Sequence, residues 1–89
     1  MTSQFVYEIG FRPAARRQLK ALPTGITARI TEAIDGLAHD PRPTGATAMV
    51  GDGGRLRIRI GDYRVIYVVD DDARQVTVER VGHRRDIYR

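Results

Sequence analysis

The chain contains no cysteine, which excludes disulfides and thiolate metal sites as sources of stability. Its one serine, Ser3, lies near the N-terminus and far in sequence from either histidine. A Ser-His-Asp nucleophile therefore has no residues to draw on. No apolar run approaches the ~18 residues that cross a bilayer. The opening "MTSQFVYEIG" lacks the basic start and apolar stretch of a signal peptide. These absences lead to the expectation of a soluble, cytoplasmic protein with no membrane contact. At 89 residues, one compact domain covering 1–89, with a modest core, is expected.

Lysine is almost missing too. Of 15 basic residues only Lys20 is a lysine, and the rest are arginine, against 11 acids, for a formal charge of +4. A GC-rich genome would produce that bias without any function. A need to bind phosphate would as well, because guanidinium forks match phosphate oxygens bidentately. Composition does not choose between the two, but distribution helps. Arg55, Arg57, Arg59 and Arg64 fall within ten residues, and Arg80, Arg84, Arg85 and Arg89 follow.

Periodicity supplies the elements. "FVYEIGF" alternates, with Phe5, Tyr7, Ile9 and Phe11 on one face, as in a half-buried strand. "RPAARRQLKALP" reads as a helix with Pro13 in its first turn, Ala15, Leu19 and Leu22 facing inward, Arg12 as a poor N-cap, and Pro23 as its stop. "TGITARITEAIDGLAHDP" is a second helix, with Thr24 as N-cap and an apolar stripe of Ile26, Ile30, Ala33, Ile34 and Leu37. The two form a helical hairpin. "DPRPTGATAMVGDGG" is a loop around one short extended piece. "RLRIRIGDYRVIYVV" is two strands around Gly61-Asp62, and "RQVTVERVGH" is a third after the Asp70-Asp71-Asp72 turn. The expected fold is α+β, in the order β-α-α-β-β-β, with an antiparallel twisted sheet and the helical hairpin on one face.

A two-residue turn at Gly61-Asp62 pairs Ile60 with Tyr63, Arg59 with Arg64, Ile58 with Val65, Arg57 with Ile66 and Leu56 with Tyr67. Leu56, Ile58, Ile60, Tyr63, Val65 and Tyr67 then line the helix-covered face, and Arg55, Arg57, Arg59 and Arg64 point the other way. Slipping by one residue would bury three arginines, so this register is strongly specified. Extended to the last strand, it places Val76 and Val78 in the core and Glu79 opposite Arg64, a pairing that a bulge near Gly82 would shift. Arg59 opposite Arg64 is a like-charge pair, mildly destabilising unless an anion lies between the two. The tail "VGHRRDIYR" would close one end of this basic groove.

Asp70-Asp71-Asp72 resembles a hard-cation cluster, but a hairpin turn is needed there and accounts for it. No metal and no cofactor are expected. An arginine face is by default a solvated sheet surface. Arg84, Arg85 and Tyr88 tip it toward phosphate binding, since a tyrosine among cations can serve as a base. That constellation suits RNA cleavage, in which a 2′-hydroxyl attacks its own 3′-phosphate while cations hold the growing charge.

"GDYRVIYVVDDD" followed by "VGHRRDIYR", with "FRPAARRQLKALP" and "GLAHDPRPTGA", resembles the RelE branch of the RelE/ParE toxin superfamily of bacterial type II toxin–antitoxin modules. The resemblance implies a microbial-ribonuclease-like fold and an endoribonuclease that cuts mRNA in the ribosomal A site. It implies a cognate acidic antitoxin, which wraps the toxin and through which alone operator DNA is reached. By position, it implies phosphate binding by Arg64, with Arg55 and Arg57 as the basic pair of the preceding strand. Arg84 would assist the leaving group, and Tyr88 would act as base or stacking platform. His83 takes a secondary part: contacting RNA, orienting the backbone or meeting the antitoxin. Arg59 and Arg85 join as RNA-binding cations, and Arg57 joins Arg64, Arg84 and Tyr88 as catalytic. Two alternatives stay open. One is a ParE-like toxin that inhibits DNA gyrase by protein binding, and the other is an inert basic module that only docks an acidic partner.

Overall fold

The computed structural model describes residues 6–49, 51 and 53–87. It contains β1 (Glu8–Phe11), α1 (Pro13–Lys20), α2 (Thr24–Gly36), β2 (Thr47–Ala48), β3 (Leu56–Ile60), β4 (Tyr63–Asp70) and β5 (Gln75–His83). One sheet runs in the order β1-β5-β4-β3-β2. The α+β class stands, and β2 is the short extended piece of the loop. The sheet is mixed rather than wholly antiparallel, because β1 pairs in parallel with β5. Short turns force antiparallel neighbours only for consecutive strands. β1 is released from that constraint by the helical crossover that follows it.

Both helices form where their apolar spacing places them. Arg12 is an extended N-cap residue whose side chain makes no capping bond. The second helix differs by one residue from expectation: Pro23 is the N-cap and Thr24 the first helical residue. Pro23 has an extended backbone and its carbonyl accepts the Thr27 N–H at 2.9 Å. Thr27 Oγ1 in turn donates toward the Leu19 and Leu22 carbonyls at 3.1 and 3.2 Å, tying the hairpin together. The hairpin covers one sheet face. Ala15, Ile30, Ile34 and Leu37 meet Ile58, Val65, Tyr67, Val76, Val78 and Val81 in the core.

The β3–β4 register is the expected one at all five pairs, Leu56↔Tyr67 through Ile60↔Tyr63. The β4–β5 register is not. Arg64 lies opposite Gly82, not Glu79: the turn that pairs Asp70 with Gln75 would by itself set Val81 opposite Arg64, and a bulge between the Ile66↔Arg80 and Tyr67↔Val78 pairs adds one residue more. Glu79 is the extra residue. Without it Val81 would point to the outer face. With it Val81 is buried, only 2% exposed, and the energy of burying that side chain outweighs one disrupted ladder bond.

Two polar straps hold the loops. Asp70 accepts the Ala73 N–H at 3.0 Å. Asp71 receives Arg42 bidentately at 3.1 and 3.0 Å and the Tyr7 hydroxyl at 2.7 Å. The bonds from Arg42 and then from Tyr7 hold the Asp71 carboxyl below its ordinary pKa, so what they contribute is lost as pH falls through that value. Deeper in, Tyr67 is fully buried and donates its hydroxyl to the Pro41 carbonyl at 2.7 Å. Burial of the phenol pushes its pKa up to about 12, against ~10 in the unfolded chain. Its contribution is therefore intact below pH ~10 and lost as pH climbs toward about 12. Thermal unfolding followed across that window should fall more steeply for the wild type than for Tyr67→Phe. Parallel profiles would contradict the assignment.

Candidate functional site

Alternation along three strands builds the outer face. One cross-strand row reads Arg59, Arg64, Gly82; the next reads Arg57, Ile66, Arg80. Arg55 precedes β3 on the same parity. The four expected arginines thus share the face away from the helices. Arg55, Arg57 and Arg64 are half-buried, and Arg59 is exposed.

The β3–β4 turn is where the cations gather. Gly61 takes a positive φ of 58°, the left-handed geometry that a tight hairpin turn needs and glycine adopts at little cost. Arg64 folds back over this turn, its Nη1 donating to the Gly61 and Tyr63 carbonyls at 3.2 and 3.1 Å. The segment after β5 reaches the same turn. The Arg84 N–H donates to the Asp62 carbonyl at 2.8 Å, and Arg84 Nε stands 4.0 Å from Asp62 Oδ1. Both parties to that weak ion pair are exposed, so it leaves Arg84 available to a stronger anion. Arg64 and Arg84 therefore meet at this turn, and Arg59 is the cross-strand partner of Arg64.

The tail is docked as far as it is described. Asp86 and Ile87 N–H groups both bond the His83 carbonyl, at 2.8 and 3.0 Å, forming a closing turn. Ile87 is 2% exposed, with its Cδ1 3.6 Å from where a Cβ on Gly82 would stand. Arg85 is exposed, and its N–H donates to His83 Nδ1 at 3.1 Å. His83 pairs with Tyr63 on the helix-covered side. Their rings lie edge to face with centroids 5.4 Å apart. A cavity of about 370 Å³ there is lined by Gln18, Leu22, Tyr63 and His83, among others. His83 thus stands behind the arginine rows, which suits orienting the tail. Tyr88 lies outside the described residues.

Arg80 joins the face unforeseen, and Glu79, expected there opposite Arg64, has other partners. Arg80 sits beside Arg57 across Ile66, and Glu79 sits between cations, with Arg55 Nε donating to its Oε1 and Arg12 Nε at 3.8 Å. The Glu79 side chain is only 13% exposed. The bulge delivers Arg80, which unbroken alternation after Val78 would turn inward. Its trace in the sequence is the spacing Val76, Val78, Val81, where an apolar interval of two becomes three.

Comparisons with known proteins bear on the family and the fold. A family model described as the ParE toxin of the type II toxin–antitoxin system, parDE, matches residues 9–88. Toxin RelG of Mycobacterium tuberculosis is 38% identical over 84 residues, covering 93% of this chain and 97% of that protein. Toxin RelE of the same organism is 31% identical over 90 residues, covering 100% and 93%. The M. tuberculosis toxin–antitoxin complex RelBE2 contains a chain that superposes with a TM-score of 0.80 at 32% identity, over 97% of this chain and 100% of that one. An archaeal RelE–RelB complex from Pyrococcus horikoshii gives 0.79 at 27%, over 91% and 98%. A family match over nearly the whole chain, joined to relatives above 30% identity over nearly their full lengths, means that this chain belongs to the RelE/ParE family of toxins of type II toxin–antitoxin systems.

Proposed function

We propose that the protein is an endoribonuclease that needs no metal, cuts mRNA in the ribosomal A site to arrest translation, and is neutralised by a cognate acidic antitoxin. The observation that carries this is the meeting of Arg64 and Arg84 at the Gly61-Asp62 turn, on a face that also holds Arg55, Arg57, Arg59 and Arg80. The substrate's 2′-hydroxyl would lose its proton to a base, and Tyr88 is the candidate. The oxygen then attacks the adjacent phosphorus, with Arg57 and Arg64 opposing charge on the phosphoryl oxygens. Arg84 supports the departing 5′-oxygen as it takes up a proton, leaving a 2′,3′-cyclic phosphate. Arg55, Arg59 and Arg85 bind flanking phosphates, and His83 orients the turn that carries Arg84.

Among the described residues the carboxylates at this site, Glu79 and Asp62, each already face an arginine, and His83 stands behind them. No strong acid–base pair is assembled among the described residues. Such a site depends on a substrate already held for in-line attack, which a ribosome supplies. The test is a translation reaction with a defined message and primer extension to map new 5′ ends. Cuts are expected within translated codons and not on the same message without ribosomes. Intact messages together with DNA damage in cells would instead identify a gyrase inhibitor, the function that the parDE description of the matched family favours.

The RelBE2 and P. horikoshii toxins were solved with their antitoxins, and a formal charge of +4 suits an acidic partner here. Operator DNA would be met only through that partner, in the cytoplasm. Among the described residues no helix is long and apolar enough to cross a membrane.

Glu79 tempers the face. Glu79→Gln keeps the shape but removes the carboxylate that engages Arg55. Single-stranded RNA should bind a few-fold tighter, with the salt slope steeper by roughly 0.7. Stability should fall by about 1 kcal/mol, a modest loss because Arg55 is 38% exposed and screened. Unchanged affinity and slope in a salt titration would show that Glu79 does not restrain the site.

A further inference from the structure

α1 presents a second cationic surface. Ala15 is buried, and Leu19 and Leu22 lie half-buried against the core. The outer side carries Arg12, Arg16, Arg17 and Lys20, all exposed. Arg12, Arg16 and Lys20 recur every fourth residue and form a row rising ~6 Å per step. The helix itself contains no acid. Among the described residues none of Arg16, Arg17 and Lys20 has an ion-pair partner. Solvated helix faces ordinarily mix signs, because like charges four apart repel. The helix dipole favours Arg17 and Lys20 in the last turn but not Arg12 at the N-cap. A bound polyanion would relieve the whole row at once.

The row adjoins the arginine face without belonging to it. The Arg12 N–H donates to the Val78 carbonyl and the Val81 N–H to Gln18 Oε1, both at 2.8 Å. α1 thus runs along the edge of β5 beyond the end of β1, and Arg12 leans over that edge toward Glu79. The chemistry of the row also differs. Single-stranded sites combine cations with aromatic platforms. Among the described residues the ring beside the row is Phe11, and the Arg16 guanidinium covers it at 5.0 Å. A rigid line of cations without stacking surface matches double-helical RNA, which is recognised by its phosphates and shape.

We propose that the outer side of α1 docks the phosphate backbone of double-helical RNA, while the sheet face holds the single-stranded message. This rests on the ribonuclease function proposed above and adds a second RNA surface to it. The row would set the angle at which the toxin approaches a message embedded in folded RNA.

The test uses the full chain with Arg16→Gln, Arg17→Gln and Lys20→Gln combined, circular dichroism confirming the fold. Binding to a blunt RNA duplex and to a single-stranded RNA of equal length is titrated over salt by fluorescence anisotropy, with polyglutamate as a third probe. The triple variant should bind duplex about tenfold more weakly at low salt, with a slope flatter by roughly two to three, and bind the single strand as wild type does. Arg64→Ala should do the reverse. Unchanged duplex affinity and slope would overturn the proposal. So would equal losses on all three probes, which mark mere bulk charge, or a loss confined to polyglutamate, which assigns the row to an acidic protein. Message cleavage by the wild type is scored separately. Its absence would remove the ribonuclease function while the duplex slopes still report on α1.

Discussion

Arg64→Ala is expected to reduce message cleavage about ten- to a hundredfold with the fold intact. A charge-assisted hydrogen bond to phosphate contributes ~1.5–3 kcal/mol, and each ~1.4 kcal/mol is tenfold in rate. The side chain contributes little to stability. It bonds two carbonyls at the rim of a turn, and it faces Arg59 across the ladder. Removing one of two like charges relieves repulsion, so the melting temperature should hold or rise slightly while activity falls. That opposition separates a functional arginine from a structural one. Arg84→Ala should show the same split. Because Arg64 and Arg84 share the Gly61-Asp62 turn, the double variant should lose less than the product of the single losses. Cleavage within twofold of wild type in the Arg64→Ala variant, measured by primer extension, would remove this residue from the mechanism.

The second large effect concerns the anchor of the tail. Ile87→Ala should destabilise the protein by about 2 kcal/mol, the low end for a buried Ile→Ala change. In a domain whose whole stability is ~5–15 kcal/mol, that is a visible drop in denaturant midpoint. Activity should fall further than stability, since Ile87 closes the turn that begins with Arg84. Ile87→Val, which keeps most of the side chain, should recover both readouts. An Ile87→Ala variant that melts lower but cleaves normally would show that the docked turn serves only the fold.

The fold was largely legible. Binary patterning that changes from a helical period to alternation places the hairpin and β3–β5. The β3–β4 register followed from a burial penalty that no alternative register avoids, since one step would sink Arg55, Arg57 and Arg59 into the core. The site was legible as far as that register reached. Arg59 and Arg64 could be paired on paper because only a two-residue turn separates their strands. Glu79 was set opposite Arg64 because the turn at 71–74 is longer than that pairing requires, and Arg80 reaches the outer face because a bulge inverts parity beyond itself. His83 followed the same inversion, to the helix-covered side beside Tyr63. The parallel pairing of β1 had no local signal, since nothing in "EIGF" specifies which distant strand it joins.

By itself the sequence determined which residues are apolar and at what period, and so which faces are buried and which carry arginine. Local side-chain chemistry suffices for that. Tertiary structure decided how far the outer face extends: it added Arg80, set Glu79 among cations, brought Arg84 to the Gly61-Asp62 turn and seated Ile87 over Gly82. Those outcomes depend on contacts between residues up to dozens of positions apart, where the burial of Val81 competes with an unbroken ladder, and only the assembled sheet settles that competition.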